Sequence, residues 1–248
     1  MIRKQIPNIL TLSNLLCGIL AIYSLYCSDS HILPPIFILL GAVFDFFDGF
    51  TARALKVSSP IGKELDSLAD VVTFGLAPSL IAVEILKLQT QFSTFANIIC
   101  LIPLFMALMS AYRLGKFNID ERQTTGFIGL PTPANALLWL SLPLLMHLSE
   151  SKTHLWGLYN EQLYAAITAF LTNPYFICIT SVVMAVLLVS ELHMFALKFK
   201  NFTWQDNKVK FIFLILCLIL LFVLNCFAIP FIVLLYIIMS IITNTFKK

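Results

Sequence analysis

Charge is what this chain has least of. Of its 248 residues, 16 are Lys or Arg and 13 are Asp or Glu, 12% in all, whereas 59% are hydrophobic. Soluble domains carry about 25% charged residues. A water-facing surface built from half that share would expose large apolar patches, so a soluble globular domain is excluded. Disordered chains are polar and poor in aromatics; 22 Phe exclude that class too. A net charge of +3 gives no field suited to nucleic acid, and no such partner is expected. The six cysteines (Cys17, Cys27, Cys100, Cys178, Cys217, Cys226) contain no CxxC pair. That argues against a zinc site and a disulfide framework, and they read as small buried apolar residues. Tandem repeats, low-complexity tracts and a second domain are also missing. The start, Met1-Ile2-Arg3-Lys4, runs into an apolar stretch with no small-x-small cleavage site behind it. It is expected to be a retained first helix rather than a signal peptide.

What is present is apolar length. A transmembrane helix needs ~20 apolar residues to cross ~30 Å of hydrocarbon. Such windows fall at about 8–27, 34–55, 66–88, 95–114, 129–149, 164–192, 208–226 and 228–245. The expectation is an all-α polytopic membrane helical bundle of about eight transmembrane helices. One integral membrane domain covers 1–248, with a catalytic core at about 8–202 and a C-terminal helix pair at about 208–245. Pro174 is expected to break the sixth window, and the stretch from Asn225 to Pro230 must turn tightly. With the first helix entering from inside, every basic residue except Lys87 and Lys152 falls on the inner side. This positive-inside bias puts both termini in the cytoplasm and the protein in the cell inner membrane.

Carboxylates inside membrane helices are costly and mark function by default. Asp45 and Asp48 close the second window, and Asp66 and Asp70 open the third. At ~100° per residue, Asp45, Asp48, Gly49 and Ala52 share an arc of roughly 100°, and Gly62, Asp66 and Asp70 share one of roughly 80°. The short connection makes the two helices antiparallel neighbours whose acidic faces can meet. Four such carboxylates repel one another unless compensated. Divalent cations are the natural compensation, and all-oxygen ligation suits Mg²⁺ or Mn²⁺ rather than zinc. Two metals bridged by carboxylates are a standard clamp for phosphoryl chemistry. Gly49, Ala52 and Gly62 leave room for a substrate, and Arg53 is a fixed cation for phosphate oxygens.

The stretch DFFDGFTARALKVSSPIGKELDSLAD, Asp45 to Asp70, fits D-x2-D-G-x2-A-R-x8-G-x3-D-x3-D at every fixed position. It resembles the signature of the CDP-alcohol phosphatidyltransferases. The resemblance implies a CDP-linked lipid, two divalent cations and displacement of CMP by a small alcohol. It implies that Asp45 and Asp66 bridge both metals, that Asp48 and Asp70 each complete one site, and that Asp70 is the general base. Asp48, Gly49, Ala52, Arg53, Gly62 and Ser59, which lies in the variable x8 segment, would contact the CDP-lipid. Family members are often homodimers, and a homodimer is expected.

Other segments bear on the acceptor. IPNILTLSNLLCGILAI from Ile6, DSLADVVTFGLAPS from Asp66, YRLGKFN from Tyr112, GFIGLPTPANA from Gly126 and VSELHMFALKFKNF from Val189 are similar to the serine-using bacterial branch of that family. That branch implies CDP-diacylglycerol and L-serine as substrates in a lipid bilayer. Two departures stand out: Gly115-Lys116 where the family usually shows Ala-Arg, and Glu191 with His193 in the last segment. Serine is a zwitterion, so its site needs a cation for the carboxylate. Arg113, Lys116 and Asn118 at the inner end of the fourth window are the candidates. An orientation-setting loop charge is the plainer reading of Arg113 and Lys116. Thr125 and the Gly126/Gly129/Pro131 loop are further candidates for lining the pocket. His31, His147, His154 and His193 lack ligand spacing. Glu84 is expected to snorkel, and Glu191 to form a local ion pair. Two alternatives stay open: the same chemistry with glycerol-3-phosphate or inositol, and a cation transporter whose aspartates bind ions.

Overall fold

The structure is a computed structural model that describes residues 2–28, 30–57, 59–90, 98–120, 127–151, 160–195 and 203–245. Helix α1 (Ile2–Cys27) and helix α2 (Leu33–Ala54) form an antiparallel pair. Pro34 and Pro35 sit in the first turn of α2, where a missing N–H loses nothing. Helix α3 (Pro60–Asp70) starts earlier than the apolar window because its first turns are polar. Its start is set by Ser59, whose hydroxyl accepts from the Gly62 N–H at 3.1 Å, followed by Pro60 at the first helical position. A π-helical turn (Val71–Leu76) carries α3 into α4 (Ala77–Gln89). There the Ala77 N–H reaches back five residues to Val72.

The remaining helices are α5 (Leu104–Ile119), α6 (Thr132–Ser151), α7 (Glu161–Leu171), α8 (Pro174–Val189), α9 (Trp204–Leu224) and α10 (Ala228–Thr245). Pro174 does end the sixth run: α7 and α8 meet at 60°, and the Asn173 side chain caps α8 through the Tyr175 N–H. A 3-10 turn (Asn225–Phe227) separates α9 from α10, as the tight connection requires. Strands β1 (Phe127–Ile128) and β2 (His193–Met194) pair antiparallel.

The chain is a multi-pass helical membrane protein. Gln5–Cys27, Leu33–Ala54, Pro60–Gln89 and Asn207–Asn244 are long and apolar enough to cross a bilayer, and the bent α7–α8 pair makes a fifth such segment. Ile9, Leu16, Phe46, Phe50 and Phe222 face outward, the arrangement that lipid contact favours. The core sits around α4 and α6, where Phe74, Ile81, Leu86, Trp139 and Leu142 are fully buried. All six cysteines are free; Cys17, Cys100 and Cys217 are buried as expected, Cys178 and Cys226 partly so, and Cys27, at the end of α1, is exposed.

Two close approaches position the site. Helix α1 lies along α2 and rests on α3 and the π turn. Gly18 and Gly41 allow this, since a Cβ on either would stand 2.5 or 2.6 Å from the Thr73 side chain. Gly129 holds φ at +78°, and a Cβ there would lie 2.4 Å from the Leu188 carbonyl oxygen. Its N–H donates to Leu192 at 2.8 Å, and the Leu130 N–H donates to Leu187 at 2.9 Å. The segment after β1 is thereby stitched onto the end of α8. Gly129→Ala is expected to lose about 1–3 kcal/mol from backbone strain alone. A lowered unfolding temperature in detergent is the check; an unchanged one would contradict this stitching.

Candidate active site

The acidic residues come together as the helical arcs require. Asp45 and Asp48 project from the last turns of α2, and Asp66 and Asp70 from α3. One carboxylate oxygen each from Asp45, Asp48 and Asp66 lies within 4.8 Å of the others. Asp70 lies within electrostatic reach of Asp45. Asp48 is buried. Such a concentration of negative charge is stable only with compensation, and the donor set is carboxylate oxygen throughout. It fits a hard divalent cation and lacks the nitrogen or sulfur that zinc sites favour.

Two polar residues of α1 complete the cluster. The Thr11 hydroxyl donates to Asp48 Oδ2 at 2.6 Å, and the Asn14 carboxamide donates from Nδ2 to Asp70 Oδ1 at 3.2 Å. Both are buried. Asn14 is fixed from behind, because the Thr73 hydroxyl donates to its backbone carbonyl at 3.0 Å. Neither residue was singled out from sequence. The available signal was their i, i+3 spacing as polar residues in an apolar helix, one turn apart on one face.

The substrate-contact candidates divide. The Arg53 guanidinium lies over Gly49: a Cβ on Gly49 would come 3.3 Å from Arg53 Nη1. Arg53 is exposed at the end of α2, with Ala52 beside it, and it lies within electrostatic reach of Asp48. Gly62 faces Asn8 Oδ1 and Ser59 Oγ, with no room for a side chain between. Ser59 itself is engaged as the cap of α3.

The acceptor candidates occupy the same end of the bundle, because the end of α5 meets the first half of α3. Lys63 Nζ donates to the Asn118 carbonyl at 2.7 Å, and Asn118 Nδ2 donates to Ser67 Oγ at 2.9 Å. Asn118 therefore ties two helices together. Lys116 is bound to Glu191 at 2.5 Å, so the two departures from the family pattern meet in space. Glu191 finds this partner across the chain, on α5, while Lys198 and Lys200 lie outside the described residues. So do Thr125, Gly126 and His154. Glu84 pairs with Lys87 at 2.6 Å.

Arg113 is different. It is buried, 7% exposed, and its Nε has no hydrogen-bond partner. Its guanidinium stands 6.0 Å from the Phe117 ring and within electrostatic range of Asp70 and Tyr236. Among the described residues it forms no ion pair. A solvated loop charge would not be placed so. A small cleft is lined by Arg113, Lys116, Ile128, Leu188, Val189 and Ser190. Tyr236, on α10, is held by its hydroxyl donating to the Phe195 carbonyl at 3.1 Å. Tyr236 brings α10, which carried no readable motif, into electrostatic range of Arg113.

Comparison with known proteins agrees with the geometry. The profile described as CDP-alcohol phosphatidyltransferase matches residues 4–172, which include all four aspartates and Arg113. The chain belongs to the CDP-alcohol phosphatidyltransferase family. A curated relative from Helicobacter pylori (strain 26695) is 31% identical over 239 residues, 95% of this chain and 89% of the relative. One from Bacillus subtilis (strain 168) is 43% identical over 130 residues, 52% of this chain and 70% of the relative. One from Methanocaldococcus jannaschii is 38% identical over 139 residues, 55% of this chain and 60% of the relative. All three are named CDP-diacylglycerol–serine O-phosphatidyltransferase. As a CDP-alcohol phosphatidyltransferase, this chain is a membrane enzyme of phospholipid synthesis; the family is metal-dependent, and the chain carries an acidic cluster that could hold a metal ion.

Proposed function

We propose that this enzyme transfers the phosphatidyl group of CDP-diacylglycerol to the hydroxyl of L-serine, giving phosphatidylserine and CMP. The observation that carries this is the convergence of Asp45, Asp48 and Asp66 within 4.8 Å, beside Asp70 and within electrostatic range of a buried Arg113 that forms no ion pair among the described residues. The names of the relatives support serine as the acceptor.

In this reading Asp45, Asp48, Asp66 and Asp70 hold two divalent cations, Mg²⁺ or Mn²⁺, which when bound neutralise the diphosphate and the departing phosphate of CMP. Arg53 binds a phosphate oxygen as a charge-assisted donor. Gly49 and Ala52 admit the nucleotide against the backbone of α2, and Gly62 lets Ser59 and Asn8 pack close at the edge of that space. Ser59 contributes by fixing the start of α3, with its hydroxyl at the edge of the same space. Arg113 receives the serine carboxylate, and Lys116 and Asn118 shape the entrance through Glu191 and Ser67. Asp70 takes the proton from the serine hydroxyl. The serine oxygen forms its bond to the phosphorus bearing diacylglycerol. The bond from that phosphorus to the CMP oxygen breaks, and its electron pair leaves with CMP. Orientation and fixed electrostatics supply most of the acceleration in such a displacement. The acyl chains stay in the bilayer, consistent with the apolar outward faces of α1 and α2. The orientation has about eight crossings, with both termini on the cytoplasmic side of the inner membrane, in a homodimer.

An acceptor panel tests the assignment. Purified enzyme with CDP-diacylglycerol and Mn²⁺ is expected to release CMP with L-serine, and only at background with glycerol-3-phosphate or inositol. CMP release with either of the latter at the serine rate would reassign the acceptor. No CMP release with any acceptor would favour an ion-conducting protein.

A further inference from the structure

We infer that α1 is the positioning element of the acidic site: Thr11 sets Asp48 and Asn14 sets Asp70. The inference rests on the metal-dependent reading above, and it goes beyond the four acidic residues to the groups that aim them. Asp48 and Asp70 sit on different helices, α2 and α3, yet each receives one hydrogen bond from a single face of α1. A hydroxyl has one proton to give. Thr11 Oγ1 stands 3.1 Å from the Pro7 carbonyl but 2.6 Å from Asp48 Oδ2. The charged and nearer acceptor takes the proton.

Asn14 makes the point more sharply. It is fully buried, and its Oδ1 has no partner. An apolar residue of the same shape would carry no orphaned oxygen of its own. What the amide provides is the donor aimed at Asp70. The packing is arranged to deliver it. Gly18 and Gly41 let Thr73 close on α1, and Thr73 pins the Asn14 carbonyl. Both donors are shielded from solvent, Thr11 at 3% and Asn14 at 0% exposed. A carboxylate held through one oxygen cannot rotate freely about its terminal bond, so its other oxygen keeps one direction. Groups that hold metal-binding side chains in this way typically change metal affinity or activity 10–100-fold when removed.

The test is a Mn²⁺ titration of the purified full chain in detergent, with free Mn²⁺ read by electron paramagnetic resonance, alongside CMP release. Thr11→Val matches the shape and lacks the donor; Thr11→Ser keeps the donor. Ser24→Ala removes a different buried hydroxyl of α1, one that donates only within that helix. Thr11→Val is expected to bind Mn²⁺ at least roughly tenfold more weakly, with Thr11→Ser and Ser24→Ala within about threefold of wild type. Asn14→Leu is expected to lower kcat about 10–100-fold with the KM for serine little changed. Wild-type Mn²⁺ affinity in Thr11→Val would overturn the assignment. So would an equal loss in Ser24→Ala, which would make it a matter of helix packing. If Thr11→Val does not fold, Asn14→Leu decides: wild-type kcat there refutes the role of α1. A wild-type protein that binds no Mn²⁺ would instead refute the underlying metal reading, and so remains distinguishable.

Discussion

Asp70→Asn is expected to lower kcat by about 10²–10⁴-fold, the range that a positioned general base contributes. The substitution is close to isosteric. The Asn14 donor at 3.2 Å from Asp70 Oδ1 still finds a carbonyl oxygen to donate to, so the fold of α3 into the π turn should survive. What is lost is a group able to take a proton at neutral pH. One negative charge also leaves the cluster, so metal affinity falls as well. The rate must therefore be compared at saturating Mn²⁺ and saturating CDP-diacylglycerol. Under those conditions binding of the nucleotide lipid is expected to persist while CMP release nearly stops. Wild-type turnover in the variant would remove Asp70 as the base and leave it as a metal ligand alone.

Arg113→Gln should act on serine and on nothing else. Losing one partner of a buried charge pair in a binding site amounts to about 2–4 kcal/mol, roughly a thirty- to thousandfold rise in the KM for serine. The KM for CDP-diacylglycerol should stay put. Stability should move the other way. Arg113 is a buried cation with no ion pair among the described residues, and an unpaired buried charge opposes folding. The variant without substrate is thus expected to melt no lower than wild type. Added serine should raise the unfolding temperature of wild type but not that of the variant. An unchanged KM for serine would return Arg113 to a structural role. Arg113→Lys is the finer probe, since it retains charge but lacks the planar fork that grips a carboxylate.

How far the residues alone led depends on the range over which each feature is decided. The acidic quartet was legible because both of its halves are local. Asp45 and Asp48 share a face by helical periodicity, as do Asp66 and Asp70, and a short connection forces the two faces together. The apolar windows were legible in part, since bilayer thickness fixes the length of a run: against about eight expected crossings, four segments of the described residues, or five with the bent α7–α8 pair, are long and apolar enough to span. The break at Pro174 followed from its ring and missing N–H.

Other features escaped because they are settled between distant segments. Lys116 meets Glu191, Asn118 meets Ser67, and Tyr236 stands near Arg113; none of these pairs shares a local pattern. The capping of α3 by Ser59, a residue expected from the resemblance to contact the CDP-lipid, was not read from the sequence. The π turn at Val71–Leu76 has no composition of its own. It packs between α1 and α5, where Gly75 lies against Ser110.

By itself the amino-acid sequence determined the class of protein, the two acidic helices and their readiness for hard cations, because hydrophobic length and helical period act on neighbours along the chain. Only the tertiary structure decided that α1 would supply the donors to Asp48 and Asp70, that Arg113 would be buried without an ion pair among the described residues, and that Tyr236 of α10 would come within electrostatic range of it. Those outcomes depend on close approach across the bundle, through Gly18, Gly41 and Gly129. Contacts of that kind become fixed only when the packed helices leave each buried polar group one place to go.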